Sequence, residues 1–311
     1  MGYQDCLVSQ ETAAQLIQQG ELVAFGTETV YGLGADACNA QAVAQIYAKK
    51  QRPKFNPLIV HFPDSAQAFE HIEVNALLQR CAEAFWPGPM TLIAERKKGS
   101  SIAQLCSAGG SSLAVRVPSK AQGFLRAAAR PVAAPSANRS GKLSPTKPQH
   151  VYASFGADHC PALLDLGSCE AGVESTIIDV RYDHPVLLRA GAIPLEAVEQ
   201  VLGLTLPQQL SSDNPAAPGQ LSAHYAPKVP LRMNVTAPNR EETWITFGTA
   251  ATFSGASFSL SPSGDLIEAA ARLFDTMHLA QELGQPIAVM PIPKQGLGLA
   301  INDRLTRAAQ R

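Results

Sequence analysis

The chain has 311 residues, of which 46% are apolar and 16% are charged, and its formal net charge is −1. This composition indicates a globular protein and argues against a broadly basic surface for nucleic acid or membranes. Domains of about 100–200 residues are common, so the length predicts two domains. None of the six cysteines forms a C-x-x-C pair. Neither a signal peptide nor a membrane span is evident, so we expect a cytoplasmic protein.

The first part of the chain alternates between predicted helices and short apolar strands. One helix is predicted over 10–19 and a second from Asn39 to Lys50. Between them, residues 21–26 predict a strand and residues 27–37 a turn-rich stretch. Further strands are predicted at 57–62, 90–95, 112–117, 131–135, 162–166, 175–180 and 185–189, and further helices at 65–71, 75–84, 119–129, 147–154 and 194–202. Because several strands follow one another closely, the pattern favours an α/β domain with a mixed sheet.

The composition changes over residues 203–230, which are rich in Ser, Pro, Ala and Gly and therefore typical of a linker. A shorter series of elements follows: a strand at 243–247, a helix at 265–283, a strand at 286–291 and a helix at 298–310. This series predicts a small second α/β domain.

Two familiar nucleotide-binding motifs are missing or incomplete. The chain has no P-loop, since Gly141-Lys142 is followed by Leu143. Residues 32–37 match a loose G-x-G-x-x-A dinucleotide fingerprint, but the acidic residue expected about 20 positions later is absent. We interpret these glycines as parts of a tight turn.

Small polar groups follow two of the predicted strands. Thr27, Thr29 and Tyr31 leave the first strand, where their hydroxyls could bind a small polar substrate or only stabilise a turn. The segments 136–138 (Ser-Ala-Asn) and 144–147 follow the strand predicted at 131–135, and they could approach phosphate or carboxylate oxygens. Taken alone, this second composition is ordinary for a loop.

Basic residues form a further set of candidates. Lys50 and Arg52 end a helix, where cations suit the helix dipole but could also clamp a triphosphate. Arg116 and Arg189 interrupt apolar strands, and a buried arginine needs an anionic partner. That partner could be a bound ligand, which we favour, or an internal Asp or Glu. A lone strand histidine such as His61 is more often a core residue than a catalyst.

Together these clusters resemble the YrdC-like family, specifically its two-domain threonylcarbamoyl-AMP synthases. The resemblance covers nearly the whole chain and depends on the order of the motifs, because each motif alone is a weak signal. The motifs are TETVYGLG (27–34), Lys50 and Arg52 with NPLIVH (56–61), WPGPMT (86–91), LAVRVP (113–118), APSAN (134–138), SPT (144–146), GVESTIID (172–179), LLRAG (188–192) and HYAP (224–227). The chain departs from the family at Gly26, where proline is usual, and we expect a more flexible loop there.

The resemblance implies a YrdC-like twisted mixed β-sheet with flanking helices around a concave, positively lined cavity. It also implies a smaller C-terminal α/β domain of Rossmann-like type and a linker that crosses the active site. In this sequence the catalytic domain would occupy residues 1–205, the linker 206–235 and the C-terminal domain 236–311.

The implied activity is synthesis of threonylcarbamoyl-AMP and pyrophosphate from L-threonine, bicarbonate and ATP. This is the first step of N6-threonylcarbamoyladenosine formation in tRNA, catalysed by a nucleotidyltransferase that transfers AMP from ATP. Mg²⁺ would enter with ATP, and we expect no dedicated metal site, because carboxylates are not clustered. The expected partners are the three substrates and the downstream tRNA threonylcarbamoyl-transferase machinery, with weak binding of tRNA or double-stranded RNA and no membrane.

The resemblance also assigns roles by motif position. ATP would be held by Lys50, Arg52, Asn56, Ser112, Ser136, Asn138, Ser144, Arg189 and Tyr225. Threonine would be held by Thr29, His61, Arg116 and Ser175, with Tyr31 shaping the pocket. Lys50 and Arg52 would be the catalytic residues, countering the charge of the leaving pyrophosphate. Tyr225 would close over ATP and exclude water.

Two other functions stay open on the sequence. Carbamoyltransferases of hydrogenase maturation contain a YrdC-like module and form a carbamoyl adenylate, but they carry zinc and acylphosphatase-like modules of which this sequence shows no sign. A non-enzymatic RNA-binding module could use the same cationic cavity. A net charge of −1 argues against broad binding to a phosphate backbone.

Overall fold

The computed structural model describes residues 2–211, 218 and 224–310. Its α-helices are α1 Gln10–Gln18, α2 Ala40–Lys50, α3 Ser65–Phe69, α4 Ala76–Phe85, α5 Gln122–Ala128, α6 Pro148–Phe155, α7 Leu195–Leu202, α8 Leu266–Glu282 and α9 Leu297–Ala309. Its strands are β1 Val23–Phe25, β2 Gly32–Asp36, β3 Ile59–His61, β4 Met90–Glu95, β5 Ser112–Arg116, β6 Val132–Ala133, β7 Ala162–Leu164, β8 Thr176–Asp179, β9 Val186–Arg189, β10 Leu231–Arg232, β11 Thr243–Phe247, β12 Ser257–Ser261 and β13 Ile287–Val289.

The first nine strands form one mixed sheet in the order β7-β1-β2-β6-β3-β5-β4-β8-β9. Three neighbouring pairs are parallel, namely β7/β1, β3/β5 and β4/β8, and the other five are antiparallel. The remaining strands form a parallel sheet in the order β10-β13-β11-β12. This architecture confirms the predicted fold class, a mixed-sheet α/β domain with a smaller α/β domain after it.

Local sequence signals explain where the first helices begin and end. The Ser9 side chain accepts a hydrogen bond from the Thr12 backbone amide, which caps α1. The Asn39 side chain caps α2 in the same way. Gln51 then adopts a left-handed conformation with φ of 54°, and α2 ends there. The end of α2 therefore brings Lys50 to the loop after β6, where it contacts Ser136 and Asn138.

Each predicted helix and strand is present within three residues of its expected bounds. The turn-rich prediction over 27–37 is wrong in its second half, because β2 pairs antiparallel with β1. Gly32 and Gly34 lie in this strand and form no tight turn. A Cβ at Gly34 would lie 2.8 Å from side-chain atoms of Phe25 and Val132, so close packing accounts for this glycine. Two further strands, β10 and β12, were also not predicted, and β10 lies inside the predicted linker.

The second domain packs against the segment that precedes β8. Gly172 has a φ of 67°, and a Cβ there would lie 2.3 Å from the carbonyl oxygens of Ala270 and Ala271 in α8. Only glycine permits this approach. Beside it, the rings of His150 and His278 stack with their centroids 3.8 Å apart. The two domains thus meet directly at the segment 172–175, which carries one of the sequence motifs.

Candidate active site

A cleft of about 550 Å³, which includes space open to solvent, lies beside the large sheet. Its lining comes from loops and strand ends that are far apart in sequence: Thr27, Thr29, Val30, Gly32, Arg52, Ile59, His61, Arg116, Ala134, Pro135, Ser136, Glu174, Ser175, Arg189, Pro218, His224 and Tyr225. The sheet order explains the convergence, because β3, β5 and β6 are neighbours and β8 and β9 lie beyond β4. The cleft is the place where most of the predicted site residues meet.

Three buried cations at the cleft lack a carboxylate partner among the described residues. Lys50 donates hydrogen bonds to the carbonyl oxygens of Ser136, at 2.5 Å, and Asn138. Arg52 donates to the carbonyls of Asn56 and Pro57, at 3.3 and 2.9 Å. Arg189 donates to the carbonyl and hydroxyl of Ser175, at 3.0 and 2.9 Å, and to the Pro218 carbonyl at 3.2 Å. Neutral oxygens thus accept their hydrogen bonds, and the charge of Glu174 partly offsets that of Arg189.

The pKa values of these cations show the cost of burial. Burial, helped by the charge of Arg52, lowers the pKa of Lys50 well below its usual value. Burial likewise lowers the pKa of Arg52 and of Arg189 to about 10 each. Desolvated positive charges gain much from an anion bound beside them, since the anion replaces the water that burial removed. This part of the cleft is therefore suited to a polyanion.

Arg116 differs from these cations because its anionic partner is internal. Its guanidinium lies 2.5 Å from a carboxylate oxygen of Glu28 and donates to the Thr29 hydroxyl at 3.0 Å. Burial raises the pKa of Glu28, but the charge and hydrogen bonds of Arg116 outweigh that effect and lower it. The protein thus supplies the anionic partner of buried Arg116 itself, in place of the bound anion that the sequence favours. Arg189 forms no ion pair among the described residues, although burial lowers its pKa and the charge of Glu174 opposes that effect in part.

Eight of the predicted site residues line the cleft: Thr29, Arg52, His61, Arg116, Ser136, Ser175, Arg189 and Tyr225. Four more are buried beside it and contact the lining, namely Lys50, Asn56, Asn138 and Ser144. The side-chain oxygens of Asn56 and Asn138 have no hydrogen-bond partner among the described residues. The structure thus brings together twelve of the fourteen residues that the motifs singled out.

The other two residues are not brought into the cleft. The Tyr31 hydroxyl donates to Asp165 at 2.8 Å and the Gly167 carbonyl at 2.9 Å, so it braces the loop after β7 instead of lining the cavity. Ser112 begins β5, four residues before Arg116, and a strand of that length extends over about 13 Å. Motif order identified both residues but could not show on which side of the backbone they lie.

Gly26 is packed and not exposed in a loop. A Cβ on Gly26 would lie 3.1 Å from Leu166 and 3.2 Å from the Tyr31 ring. The Thr27 hydroxyl accepts from the backbone amides of Thr29 and Val30, which folds the following residues into a compact turn. The greater flexibility expected at Gly26 stays a prediction.

Ser175 joins the two halves of the predicted site. Its hydroxyl hydrogen-bonds to the Thr91 hydroxyl at 2.7 Å and accepts from Arg189 at 2.9 Å. Ser175 belongs to the predicted threonine set and Arg189 to the predicted ATP set. The two candidate subsites are therefore in direct contact, as a reaction between two bound substrates requires.

Sequence reasoning missed three polar residues at the cleft. Glu28 and Glu174 lie in the motifs at 27–34 and 172–179, but neither motif indicates which carboxylate is buried. Glu174 accepts from Ser144 at 2.6 Å and from Arg304 at 2.8 Å. His224 precedes Tyr225, and its Nδ1 has no hydrogen-bond partner among the described residues. Residues 212–217 and 219–223 of the predicted linker lie outside the described residues, and Pro218, His224 and Tyr225 are its described members in the cleft lining.

Three buried histidines should make the protein less stable in acid. Burial lowers the pKa of His61, His224 and His278 to about 3 each. Their pKa in the unfolded chain is about 6.5, so below that pH the unfolded state binds protons that the folded state excludes. The free energy of unfolding is then at its full value above about pH 6.5 and falls as the pH drops towards 3.

In the His278→Gln variant the free energy of unfolding should decrease less steeply as the pH drops, by up to about 1.4 kcal/mol per pH unit. Urea unfolding between about pH 7 and about pH 5 measures this slope. His184→Gln is the matched control, because His184 is exposed. If the pH dependence of the free energy of unfolding were the same in His278→Gln as in the native chain, the lowered pKa of His278 would be contradicted.

No helix among the described residues is long and apolar enough to cross a membrane. In that same part of the chain, no three His, Cys, Asp or Glu side chains cluster in a way that could hold a metal ion.

The fold and the site define the class of the protein: a mixed-sheet α/β protein with buried cations at its cleft. The family model described as "Telomere recombination" matches residues 15–191, and "Threonylcarbamoyl-AMP synthase, C-terminal domain" matches residues 193–310. The chain belongs to the family of two-domain threonylcarbamoyl-AMP synthases.

Curated relatives and a solved structure agree with the family models. The chain is 37% identical to the threonylcarbamoyl-AMP synthases of Pyrococcus abyssi and Bacillus subtilis, over 96% of its own length and 93% and 92% of theirs. The crystal structure of P. abyssi Sua5 complexed with L-threonine has a TM-score of 0.88 and 34% identity. That likeness covers 97% of this chain and 94% of the other. Both the fold and the chain length thus match those of two-domain enzymes.

Proposed function

We infer that this chain synthesises threonylcarbamoyl-AMP and pyrophosphate from L-threonine, bicarbonate and ATP, for N6-threonylcarbamoyladenosine formation in tRNA. One observation carries this conclusion. In a single cleft, the buried cations Lys50 and Arg52, which form no ion pair among the described residues, lie near the polar side chains of Thr29 and Ser175. Homologous synthases match over nearly the whole chain, and a relative was crystallised with L-threonine. The enzyme class is therefore a nucleotidyltransferase that moves AMP from ATP to a carbamate.

The ATP phosphates are proposed to bind at Lys50, Arg52 and Arg189. The carbonyls of Ser136 and Asn138 occupy two of the three ammonium protons of Lys50, which leaves one for a phosphate oxygen. The Nε and one terminal nitrogen of Arg52 donate to carbonyl oxygens, and its second terminal nitrogen has no acceptor among the described residues. Glu174 is the one acidic residue in the cleft lining among the described residues, and its carboxylate oxygens are already hydrogen-bonded to Ser144 and Arg304, so it is not free to bind a metal. Mg²⁺ is therefore proposed to enter with ATP, where it neutralises phosphate charge.

L-Threonine is proposed to bind between Thr29, Arg116 and Ser175. Glu28 and Thr29 fix the Arg116 guanidinium from one side, and its Nε donates to the Gly88 carbonyl at 3.3 Å. A guanidinium held in this way presents its remaining N–H groups to a substrate carboxylate at little entropic cost. His61, whose pKa is about 3, is neutral at neutral pH and offers a hydrogen bond instead of a charge.

The reaction needs positioning more than acid–base groups. The threonine amine attacks carbon dioxide with loss of a proton, or bicarbonate with loss of water, to give a carbamate. A carbamate oxygen then attacks the α-phosphorus in line and expels pyrophosphate. Lys50 and Arg52 counter the charge of the leaving group, and burial strengthens their effect. Tyr225 is 1% exposed and contributes to the wall of the cleft, which favours exclusion of water from the mixed anhydride.

Pyrophosphate release should require ATP, Mg²⁺, L-threonine and bicarbonate together. Omitting L-threonine or bicarbonate should reduce release to the background of ATP hydrolysis, because the nucleophile does not exist without both. The nucleotide product, weighed by mass spectrometry, should have the mass of threonylcarbamoyl-AMP. Release that is independent of threonine, or a carbamoyl adenylate product, would instead indicate a carbamoyl-transfer enzyme.

The wider setting of the reaction is also a proposal. The product is a mixed anhydride of AMP, so a transferase that moves the threonylcarbamoyl group to adenosine in tRNA, with release of AMP, must act next. We place both steps in the cytoplasm. Weak binding of tRNA or double-stranded RNA at the cationic cavity is tested by a salt titration. Such binding should weaken steeply as salt rises, and ATP should compete with it.

A further inference from the structure

We propose that Arg304, on helix α9 of the C-terminal domain, is a positioning residue for the ATP side of the cleft. This inference rests on the proposed function, since it assigns the side of the cleft on which ATP binds. Arg304 does not line the cleft, and its side chain is fully buried. It contacts two residues that do line the cleft, Glu174 and Tyr225.

The first contact fixes a carboxylate that would otherwise be mobile. The Nε of Arg304 donates to Glu174 at 2.8 Å, and the other carboxylate oxygen of Glu174 accepts from the Ser144 hydroxyl at 2.6 Å. Glu174 therefore bridges the second domain and a residue of the ATP set. Because Glu174 is held at both oxygens, its negative charge stays at one place beside a site for phosphates, where an unrestrained carboxylate would compete for Lys50 and Arg52.

The second contact holds the Tyr225 ring in the lining of the cleft. The guanidinium carbon of Arg304 lies 5.3 Å from the centroid of the Tyr225 ring, within the range of a cation–π interaction. Phe274 of α8 supports the same ring at 5.5 Å. Tyr225 has a φ of 61°, an uncommon conformation for a residue with a side chain, so its backbone gains from such external support.

Both contacts of Arg304 connect it to residues on the side of the cleft proposed for ATP. Glu174 reaches Ser144, and Tyr225 belongs with Ser144 to the residues proposed for ATP. No contact of Arg304 with Thr29, Arg116 or Ser175 is found among the described residues. If Arg304 positions Glu174 and Tyr225, its loss should weaken ATP binding and leave threonine binding nearly unchanged. A residue that only stabilises the fold would instead lower the folded fraction, which reduces the apparent kcat and changes neither KM.

The test compares Arg304→Lys and Arg304→Met with the native chain. Lysine keeps the positive charge that buried Glu174 needs, but it loses the planar fork and the stacking surface. We expect KM for ATP to rise about tenfold in Arg304→Lys and further in Arg304→Met, with KM for threonine within about threefold of the native value. Arg272→Lys is the matched control, because Arg272 is exposed on α8 and pairs only with Glu268 among the described residues.

Calorimetric titration with ATP and Mg²⁺, without threonine, separates this proposal from the proposed function. If the native chain binds ATP but releases no pyrophosphate with threonine and bicarbonate, the proposed function fails and the dissociation constants still test Arg304. Equal ATP dissociation constants in the native chain and Arg304→Lys would overturn the positioning role. So would a fall in kcat in proportion to the folded fraction with both KM values unchanged. If Arg304→Met does not fold, Arg304→Lys decides the question.

Discussion

The Arg52→Ala variant should lose at least about 100-fold in kcat/KM for ATP, equivalent to about 2.7 kcal/mol of transition-state stabilisation. Arg52 is a buried cation whose hydrogen bonds go only to carbonyl oxygens of Asn56 and Pro57 among the described residues. Its charge is therefore available to the pyrophosphate that leaves. Initial rates of pyrophosphate release at several ATP concentrations measure the loss. Because the lost interaction forms with departing phosphate, the decrease should appear mainly in kcat.

Arg126→Ala is the matched control for Arg52, since Arg126 is exposed on α5 away from the cleft lining. It should leave the rate unchanged. Arg52→Lys should recover only part of the activity, because an ammonium group cannot reproduce a planar fork. Turnover of Arg52→Ala within about tenfold of the native rate, or about 1.4 kcal/mol, would show that the residue does not counter the leaving group.

The Arg116→Met variant should be less stable than the native chain by about 3–5 kcal/mol, because it leaves Glu28 buried without its ion-pair partner. The side chains of Arg116 and Glu28 are only 4% and 10% exposed, so water cannot replace the lost interaction. Threonine-dependent pyrophosphate release should also disappear in the fraction of protein that remains folded. Urea unfolding gives the free energy difference, and a circular dichroism spectrum shows the folded fraction.

The double variant Glu28→Gln/Arg116→Met separates the structural role from the catalytic one. Removing both charges should recover much of the stability, since no unpaired ion remains buried. Threonine-dependent activity should stay absent, because the proposed carboxylate ligand is still missing. Arg126→Met controls for the substitution itself. If the double variant regained activity along with stability, Arg116 would be a structural residue only.

The sequence predicted most of the secondary structure because the local signals were strong. The caps at Ser9 and Asn39, and apolar runs such as the one at 90–95, act over a few residues and need no tertiary contact. Prediction failed where tertiary contacts override local tendency. The glycine-rich segment of β2 forms a strand because Phe25 and Val132 fill the space that side chains would take. Strand β12, with the sequence SFSLS, has too many serines to be recognised from its pattern.

The sequence predicted which residue types form the site, but it did not predict which of the charged side chains pair with one another. The residue types at Lys50, Arg52 and Arg189 and their motifs pointed to a polyanion, and the structure collects them in one cleft. The same reasoning gave Arg116 a ligand as its preferred partner. It could not foresee Glu28, because pairing across 88 residues depends on the register of the sheet. For the same reason the sequence could not separate Tyr31, which braces a loop, from Thr29, which lines the cleft.

By itself the sequence determined the elements, the family and the chemical character of the site, because apolar periodicity, helix caps and ordered motifs are encoded in neighbouring residues. Only the tertiary structure decided which charges are balanced, since Glu28 neutralises Arg116 whereas no described carboxylate neutralises Arg52. It also decided that the second domain reaches the site through Arg304 and Glu174. The physical reason is that a charge is stabilised by what lies within a few ångströms of it in space, and residues 130 positions apart become neighbours only when the chain folds.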